Sequence, residues 1–315
     1  MKKPISAFVL VASLLLGMLH SHAQQTETIK LFRFGNTGSE RPGAITAKGK
    51  RIDVSKFGED YNEAFFSSDG INRLAKWIAT YENTCPEVSV TARIAPCVAK
   101  PSKIVGIGLN YTKHAAEAGV AVPKEPVLFL KSTTSLCGPN DDVHLPLNSE
   151  KTDWEVELAI VIGKKASNVS ESDAMNYIGG FTIMNDYSER AHQLEGTGQW
   201  TKGKSADTFG PLGPYIVTTT AVGDPQNLRL SLKVNGEVMQ ESNTSDMVFG
   251  VKYLVSYVSR YMTLLPGDII TTGTPSGVGL GHKPQRFLKQ GDVVELEIEK
   301  LGTQKQTAVD AMHWK

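Results

Sequence analysis

The feature that most constrains this chain is the stretch Trp154–Gly163, where two acids interrupt a β-branched apolar run at alternate positions. In a β-strand, residues two apart point to the same face and lie about 7 Å apart. Glu155 and Glu157 would therefore share one face. After Leu158 the run is continuously apolar, as in strands that are buried on both faces. The stretch predicts a buried strand that carries two carboxylates at one end.

These two acids alone fit either a solvated strand edge or half of a metal site, and acids are mostly exposed in proteins. A third acid, Asp186, ends the apolar run 181–185, where a strand passes into a helix. Asp186 could equally cap that helix. Together, three carboxylates would form a hard-oxygen ligand set that suits Mg²⁺, Mn²⁺ or Ca²⁺.

The composition excludes few fold classes but disfavours some partners. The chain has 315 residues, 40% of them hydrophobic and 21% charged, which is enough for one large domain or two smaller ones. Lys plus Arg and Asp plus Glu both number 33, and no basic run is present. Nucleic acid and acidic membranes are therefore not expected partners.

Residues 1–23 have the pattern of a secretory signal peptide. Lys2 and Lys3 precede the apolar segment 5–19, and a small-x-small pattern ends at Ala23. We predict cleavage after Ala23 and a periplasmic or secreted mature protein with no membrane attachment. The alternative is an uncleaved N-terminal anchor.

Three cysteines, Cys85, Cys97 and Cys137, are present. In an oxidising compartment, a Cys85–Cys97 disulfide is possible because these two are close in sequence. The favoured interpretation is three buried thiols.

The chain divides into a small α+β module with its linker, residues 24–98, and a larger part, residues 99–315, with many short strands and few helices. This pattern predicts a mainly β fold with α, of the α+β class, and argues against a βαβ repeat. In the module we predict a strand over 29–34, a hairpin over 44–54 and a helix after Asp69. In the larger part the predicted strands are 104–107, 127–129, 154–162, 180–184, 215–218, 228–234, 268–272 and 292–298, and the predicted helices are 112–118, 170–176, 187–193 and 246–261.

Two further groups of polar residues could serve chemistry. His114 and Glu117 are three apart in a predicted helix, where a carboxylate can orient an imidazole and raise its basicity. Arg190, Gln193 and Lys204 follow Asp186, and cations near an acid triad suit an anionic substrate. The alternatives are an exposed ion pair and ordinary surface charge.

These residues lie in short motifs that follow one another over residues 103–298. The motifs are Gly108-Leu109-Asn110-Tyr111 with His114 and Glu117, Phe129-Leu130-Lys131, Trp154-Glu155-Val156-Glu157, Asn185-Asp186-Tyr187-Ser188-Glu189-Arg190 with Gln193, Gly203-Lys204, Asp207-Thr208-Phe209-Gly210-Pro211, Pro266-Gly267-Asp268 and Thr272-Gly273-Thr274-Pro275-Ser276-Gly277. Each is weak alone, but in this order the set resembles the fumarylacetoacetate hydrolase superfamily.

The resemblance implies a mixed β-roll catalytic domain, a homodimer or higher oligomer, and a divalent metal, usually Mg²⁺ with Mn²⁺ or Ca²⁺ in some members. Its metal ligands would be Glu155, Glu157 and Asp186. Its catalytic residues would be His114, Glu117 and Lys204, and its substrate-binding residues would be Arg190, Gln193, Lys204 and Thr274.

The activity implied by the resemblance is hydrolytic cleavage of a carbon–carbon bond in a 2,4-dioxo acid, to pyruvate plus a second acid. The layout is most similar to members that act on 2,4-diketo-3-deoxy sugar acids, while acylpyruvates are the other substrate class. Many members carry an acid after the arginine of their Asp-x-Ser-x-Arg motif, and here Ala191 takes that place.

Other functions remain open on the same fold. One is a ureidoglycolate lyase, and others are an oxaloacetate decarboxylase or an isomerase. A third class is a non-catalytic exported binding protein, although every ligand and dyad position holds a chemically competent residue.

Overall fold

The computed structural model describes residues 29–311. The predicted signal peptide lies outside these residues, so its cleavage and the export of the protein stay predictions. Within residues 29–311, no helix combines the length and the apolar character needed to cross a membrane.

The described residues form strands and helices in the mixture expected of an α+β fold. The strands are β1 (Lys30–Phe34), β2 (Arg41–Ile45), β3 (Arg51–Asp53), β4 (Ile94–Ala95), β5 (Ile104–Gly108), β6 (Val127–Lys131), β7 (Leu136–Cys137), β8 (Val143–His144), β9 (Thr152–Asp153), β10 (Val156–Ile162), β11 (Ile178–Asn185), β12 (Ser188–Glu189), β13 (Gly210–Val217), β14 (Arg229–Val234), β15 (Glu237–Asn243), β16 (Ile269–Thr271), β17 (Val293–Ile298) and β18 (Gly302–Val309). The helices are α1 (Glu63–Ser67), α2 (Gly70–Tyr81), α3 (Thr112–Glu117), α4 (Arg190–Leu194), α5 (Trp200–Lys204), α6 (Thr219–Val222) and α7 (Val251–Tyr261). The predicted fold class is confirmed.

The predicted helix over 170–176 is wrong, because only a 3₁₀ turn, Ala174–Tyr177, forms there. Ser170 Oγ donates to Asp173 Oδ2 at 2.7 Å and accepts from the Asp173 N–H at 3.2 Å. Such local side-chain bonds offer the backbone an alternative to a helix.

Two other predicted helices begin later than expected. The helix over 187–193 begins only at Arg190, because strand β12 pairs with β9 instead. The helix over 246–261 begins at Val251, because Met247 forms a β-bridge with Tyr111. In both places a pairing partner distant in sequence overrides the local helical pattern.

Strand β10 lies inside the larger sheet, whose order is β3-β2-β1-β13-β11-β10-β16-β5-β6. Its antiparallel partners are β11, with Val156 opposite Asn185, and β16, with Ala159 opposite Thr271. Strand β16 pairs in parallel with β5, which leads into α3. This order places the start of β10 and the ends of β11 and β5 at the same end of the sheet.

Both faces of β10 are covered, as its continuous apolar run predicts. On one face, Leu158 and Ile160 belong to a core that includes Leu232 and Leu296 of the second sheet, whose order is β15-β14-β17-β18-β8. On the other face, Val161 belongs to a core that includes Leu74 of α2. The second sheet and the N-terminal module therefore hold β10 between them.

The N-terminal module also extends the larger sheet, because β1 pairs with β13, with Leu31 opposite Ile216. The module is therefore part of the same sheet as β10. The boundary at residue 98 stays a prediction, as does the homodimer.

All three cysteines are buried free thiols, so the possible Cys85–Cys97 disulfide does not form. Burial raises the pKa of the Cys85 thiol and raises that of Cys97 to about 12. It raises the pKa of Cys137 as well. Since the thiolate is the reactive form, all three should be inert in the folded protein.

We expect a thiol reagent such as dithionitrobenzoate to label none of the three cysteines within minutes in the native protein and all three after denaturation without reductant. The released chromophore gives the count directly. Release of a single equivalent in denaturant would instead reveal a disulfide.

Candidate metal and active site

The pairing of β10 with β11 brings the three predicted acids together. The Asp186 N–H donates to the Glu155 carbonyl at 2.9 Å, one residue beyond the last strand pair. One carboxylate oxygen from each of Glu155, Glu157 and Asp186 lies within 4.8 Å of the others. Their exposed fractions are 4%, 1% and 0%. The solvated strand edge is therefore wrong, and the acids form a buried cluster.

Two of these acids are paired with buried cations. Lys204 Nζ lies 2.6 Å from Glu155 Oε2 and 2.8 Å from Asp186 Oδ2. Arg190 Nη2 lies 2.7 Å from Glu155 Oε1. Burial acts to raise the pKa of Glu155, but the charges of Lys204 and Arg190 outweigh it and lower that pKa to about 2. Glu155 is therefore held as a carboxylate.

Lys131 is a site residue to which the sequence assigned no role. Its Nζ is fully buried and donates to Asp186 Oδ1 at 2.6 Å. Burial lowers the pKa of Lys131, while the charge of Asp186 opposes that shift. The signal available in sequence was a lysine at the end of the apolar strand β6, inside one of the recognised motifs.

Glu157 differs from the other two acids because no described cation contacts it. Its carboxylate accepts hydrogen bonds from the Thr271 hydroxyl and from the Gly273 N–H. Burial, together with the charges of Asp186 and Glu155, raises its pKa well above the ordinary value. Glu157 thus has no compensating cation, and without a metal its neutral, protonated form is favoured.

The donor set fits a divalent cation. Four buried acids, Asp153 and the three of the cluster, face three buried cations, Lys131, Arg190 and Lys204, so one acid has no cation to balance it when ionised. Three close carboxylate oxygens are ligands that Mg²⁺, Mn²⁺ and Ca²⁺ prefer. A bound cation would also offset the charge repulsion that raises the pKa of Glu157.

The predicted dyad forms on α3, just beyond strand β5. His114 Nδ1 lies 3.3 Å from Glu117 Oε2. The Gly277 N–H donates to Glu117 Oε1 at 2.9 Å, which fixes the carboxylate. A Cβ at Gly281 would lie 2.1 Å from the carboxyl carbon of Glu117, so a side chain at this position would displace that carboxylate. His114 is only 8% exposed, so the dyad is not a surface ion pair.

Asp153 is a second residue that the sequence reasoning missed. It accepts from Arg190 Nε at 2.8 Å and from the N–H groups of Gly279 and Leu280 at 2.6 and 3.0 Å. Asp153 therefore ties Arg190 to the loop 277–281 that supports Glu117. Its sequence signal, a lone acid before Trp154, is too weak to reveal this role.

The predicted substrate-binding residues also meet here, although several are already engaged. Arg190 Nη1 donates to Gln193 Oε1 at 2.9 Å. The Thr274 hydroxyl donates to the Val156 carbonyl at 3.0 Å and accepts from Gln240. Lys204 has three N–H donors, of which the two acids take two, so one remains available.

One cavity of about 300 Å³ joins these groups, because it is lined by His114, Glu155, Glu157, Arg190, Gln193, Lys204 and Thr274. A larger cavity of about 690 Å³ lies beside α2 and is lined by no residue of the acid cluster. The chemistry of the lining, and not the volume, identifies the smaller cavity as the candidate active site.

Comparison with known proteins places this chain in a family. The sequence profile of the family described as "Fumarylacetoacetate (FAA) hydrolase C-terminal" matches residues 103–309. A Burkholderia cenocepacia protein, named only provisionally as a hydrolase, is 51% identical over 284 residues, which cover 90% of this chain and 100% of that protein.

Two solved structures show the same architecture. A 2-hydroxyhepta-2,4-diene-1,7-dioate isomerase from Mycobacterium marinum is 33% identical with a TM-score of 0.69, covering 90% of this chain and 99% of that one. A maleylpyruvate hydrolase from Sphingobium sp. SYK-6, in complex with manganese and pyruvate, is 28% identical with a TM-score of 0.75, covering 90% of this chain and 100% of that one.

Proposed function

Because this chain belongs to the fumarylacetoacetate hydrolase family, we propose that it is a metal-dependent hydrolase that cleaves a carbon–carbon bond of a 2,4-dioxo acid. The products are pyruvate and a second carboxylic acid. The observation that carries the proposal is the buried acid cluster with the His114–Glu117 dyad on the wall of the same cavity.

Glu155, Glu157 and Asp186 would hold the metal, for which we propose Mg²⁺, with Mn²⁺ or Ca²⁺ as alternatives. Manganese is the ion named with one similar hydrolase. A divalent ion in this place supplies Lewis acidity toward the 2-oxo and carboxylate oxygens of the substrate.

His114 is the proposed general base. Glu117, itself held by Gly277, engages Nδ1 of the imidazole that lines the cavity, which leaves Nε2 as the nitrogen for proton transfer. That nitrogen removes a proton from water, and the water oxygen then attacks the distal ketone carbon. Orientation by a carboxylate also stabilises the imidazolium that results.

Lys204 and Gln193 stabilise the alkoxide that forms on the attacked carbon, because Lys204 retains one free donor and both side chains line the cavity. When this alkoxide collapses, the bond between the attacked carbon and the neighbouring methylene breaks. The electron pair stays with the pyruvate fragment as an enolate, and protonation of its terminal carbon gives pyruvate.

The main alternative is isomerase, decarboxylase or lyase chemistry, because one similar structure is a named isomerase and the site suits any reaction through an enolate. Products separate these reactions. Hydrolysis yields pyruvate plus an acid, isomerisation yields no fragment, and a ureidoglycolate lyase yields glyoxylate plus urea. A non-catalytic binding protein would yield nothing.

The test is a panel of 2,4-dioxo acids with metal-stripped protein to which Mg²⁺ or Mn²⁺ is returned. We expect metal-dependent loss of diketone absorbance, with pyruvate and one further acid identified by mass spectrometry. EDTA should abolish the reaction. Undiminished turnover in EDTA, or substrate consumption without pyruvate, would contradict the proposal.

A further inference from the structure

The wall of the candidate active site away from the acid cluster is apolar. Its side chains are those of Leu109, Val120, Phe129, Leu194, Trp200 and Leu280. Lys204 Nζ lies 5.0 Å from the centroid of the Phe129 ring, and the Phe129 and Trp200 centroids are 5.5 Å apart. A continuous aromatic wall therefore leads outward from the cation that contacts Glu155.

This aromatic wall is held firmly in place. A Cβ at Gly108 would lie 2.4 Å from the Trp200 ring, so the absence of a side chain at the end of β5 makes room for the indole. Phe129 occupies the space beside Gly106 in the same way. Two glycines of β5 therefore make room for both rings of the wall.

Two apolar side chains at the mouth are left partly in water. Val120, just after α3, and Leu194, at the end of α4, are each 46% exposed although both line the cavity. A ligand that covers exposed apolar groups at the rim of a pocket binds more tightly, because apolar surface is removed from water. They therefore favour a ligand whose outer end is apolar.

The cavity offers no unassigned cation for a second anionic group. Among the described residues, the cations that line it are Arg190 and Lys204, both contact acids, and the one donor that Lys204 retains is assigned to the alkoxide. His114 is engaged by Glu117. A carboxylate at the outer end of a substrate would lose part of its hydration against the apolar rim without gaining a partner, which is unfavourable.

We propose that the substrate carries a short, uncharged alkyl or aryl tail on its distal ketone, and neither a second carboxylate nor the hydroxyls of a sugar acid. This inference rests on the proposed function for the dioxo-acid end, while the tail preference rests on the apolar wall alone. The volume of about 300 Å³ suits a small molecule. Ala191, which stands where many family members carry an acid, does not line the cavity and therefore has no bearing on the tail.

Binding of a matched pair of 2-oxo acids tests the tail without requiring turnover. The pair is 2-oxohexanoate and 2-oxoadipate, which differ only in a terminal methyl or carboxylate. With the Mn²⁺-loaded full chain, we expect calorimetry to show at least ~10-fold tighter binding of 2-oxohexanoate, since its methyl group covers the apolar rim whereas the carboxylate is partly dehydrated there without a partner. Equal or tighter binding of 2-oxoadipate would overturn the inference.

A charge placed at the mouth should reverse this preference. Leu194→Lys puts an ammonium group where the tail ends, at a half-exposed position that tolerates it, so 2-oxoadipate should gain affinity while 2-oxohexanoate loses it. Val90→Lys, at a position that is 80% exposed in the N-terminal module, is the matched control and should change neither. An unchanged preference in Leu194→Lys would contradict the assignment of the tail.

Turnover measurements separate the proposed hydrolase function from the proposed apolar tail of the substrate. Hydrolysis of 2,4-dioxooctanoate in preference to its terminal dicarboxylate analogue supports both. Preferential hydrolysis of the dicarboxylate would contradict the apolar tail and support the hydrolase function. Tighter binding of 2-oxohexanoate than of 2-oxoadipate, without hydrolysis of any dioxo acid, would contradict the hydrolase function and support the apolar tail site.

Discussion

Glu157→Gln is expected to stabilise the metal-free protein and to abolish its stabilisation by divalent metal. Glu157 is buried without a contacting cation among the described residues, beside two other acids. Glutamine can still accept from Thr271 and Gly273 but carries no charge. We expect the free energy of unfolding to rise by about 1–3 kcal/mol without metal, since burial forces Glu157 to take up a proton that glutamine does not need.

With metal the order should reverse. At a concentration of Mn²⁺ about 100 times its dissociation constant, the wild-type protein should gain about 2.7 kcal/mol, and the variant should gain almost nothing. We expect kcat/KM of the variant to fall at least ~10³-fold, because a Lewis acid contributes several kcal/mol to such reactions. Denaturation curves with and without Mn²⁺, together with the pyruvate assay, measure both effects.

The matched control is Glu241→Gln, an exposed glutamate on strand β15. Its stability should stay within about 0.5 kcal/mol of wild type, and its metal response and activity should be unchanged. If Glu157→Gln kept both full activity and a wild-type response to Mn²⁺, Glu157 would not be a metal ligand.

His114→Ala is expected to leave the fold and the metal response intact while removing hydrolysis. The imidazole touches the cavity but is not part of the acid cluster, so the metal-dependent rise in stability should persist. Loss of a general base should lower kcat by about 10²–10⁴-fold. Glu117→Gln should fall between wild type and His114→Ala, because it loosens the imidazole without removing it.

His192→Ala provides the comparison, since His192 lies on α4 close to the site in sequence but is exposed. It should retain wild-type kcat. Hydrolysis at the wild-type rate in His114→Ala would remove His114 from the mechanism. Loss of the Mn²⁺ response in that variant would instead show that the imidazole helps to hold the metal.

Much of the candidate site could be read from short-range patterns. The alternation of Glu155 and Glu157 before an apolar run depends only on the two-residue repeat of a strand, and in the structure both acids belong to one cluster. The spacing of His114 and Glu117 depends only on the helical repeat in the same way. Local failures, such as the absent helix over 170–176, arose where serine and aspartate side chains bond to their own backbone.

Long-range contacts could not be read in this way. Lys131 and Asp186 are 55 residues apart, and Asp153 and Gly279 are 126 apart, yet each pair is in direct contact. The spacing of residues along the chain contains no information about such pairs. Which acid would lack a cation was equally invisible, because Lys204 reaches Glu155 and Asp186 but not Glu157 only as a result of how α5 packs.

The sequence by itself determined the family, the α+β class and the residues that form the acid cluster, because each depends on local repeats and on motifs in a set order. Only the tertiary structure decided that the acids at the end of β10 are buried and not on a wet edge. Burial of that end is a property of the elements that cover it, and those elements are distant in sequence. Phe129 and Trp200 are also far apart in sequence, so the apolar wall of the cavity forms only in the folded chain.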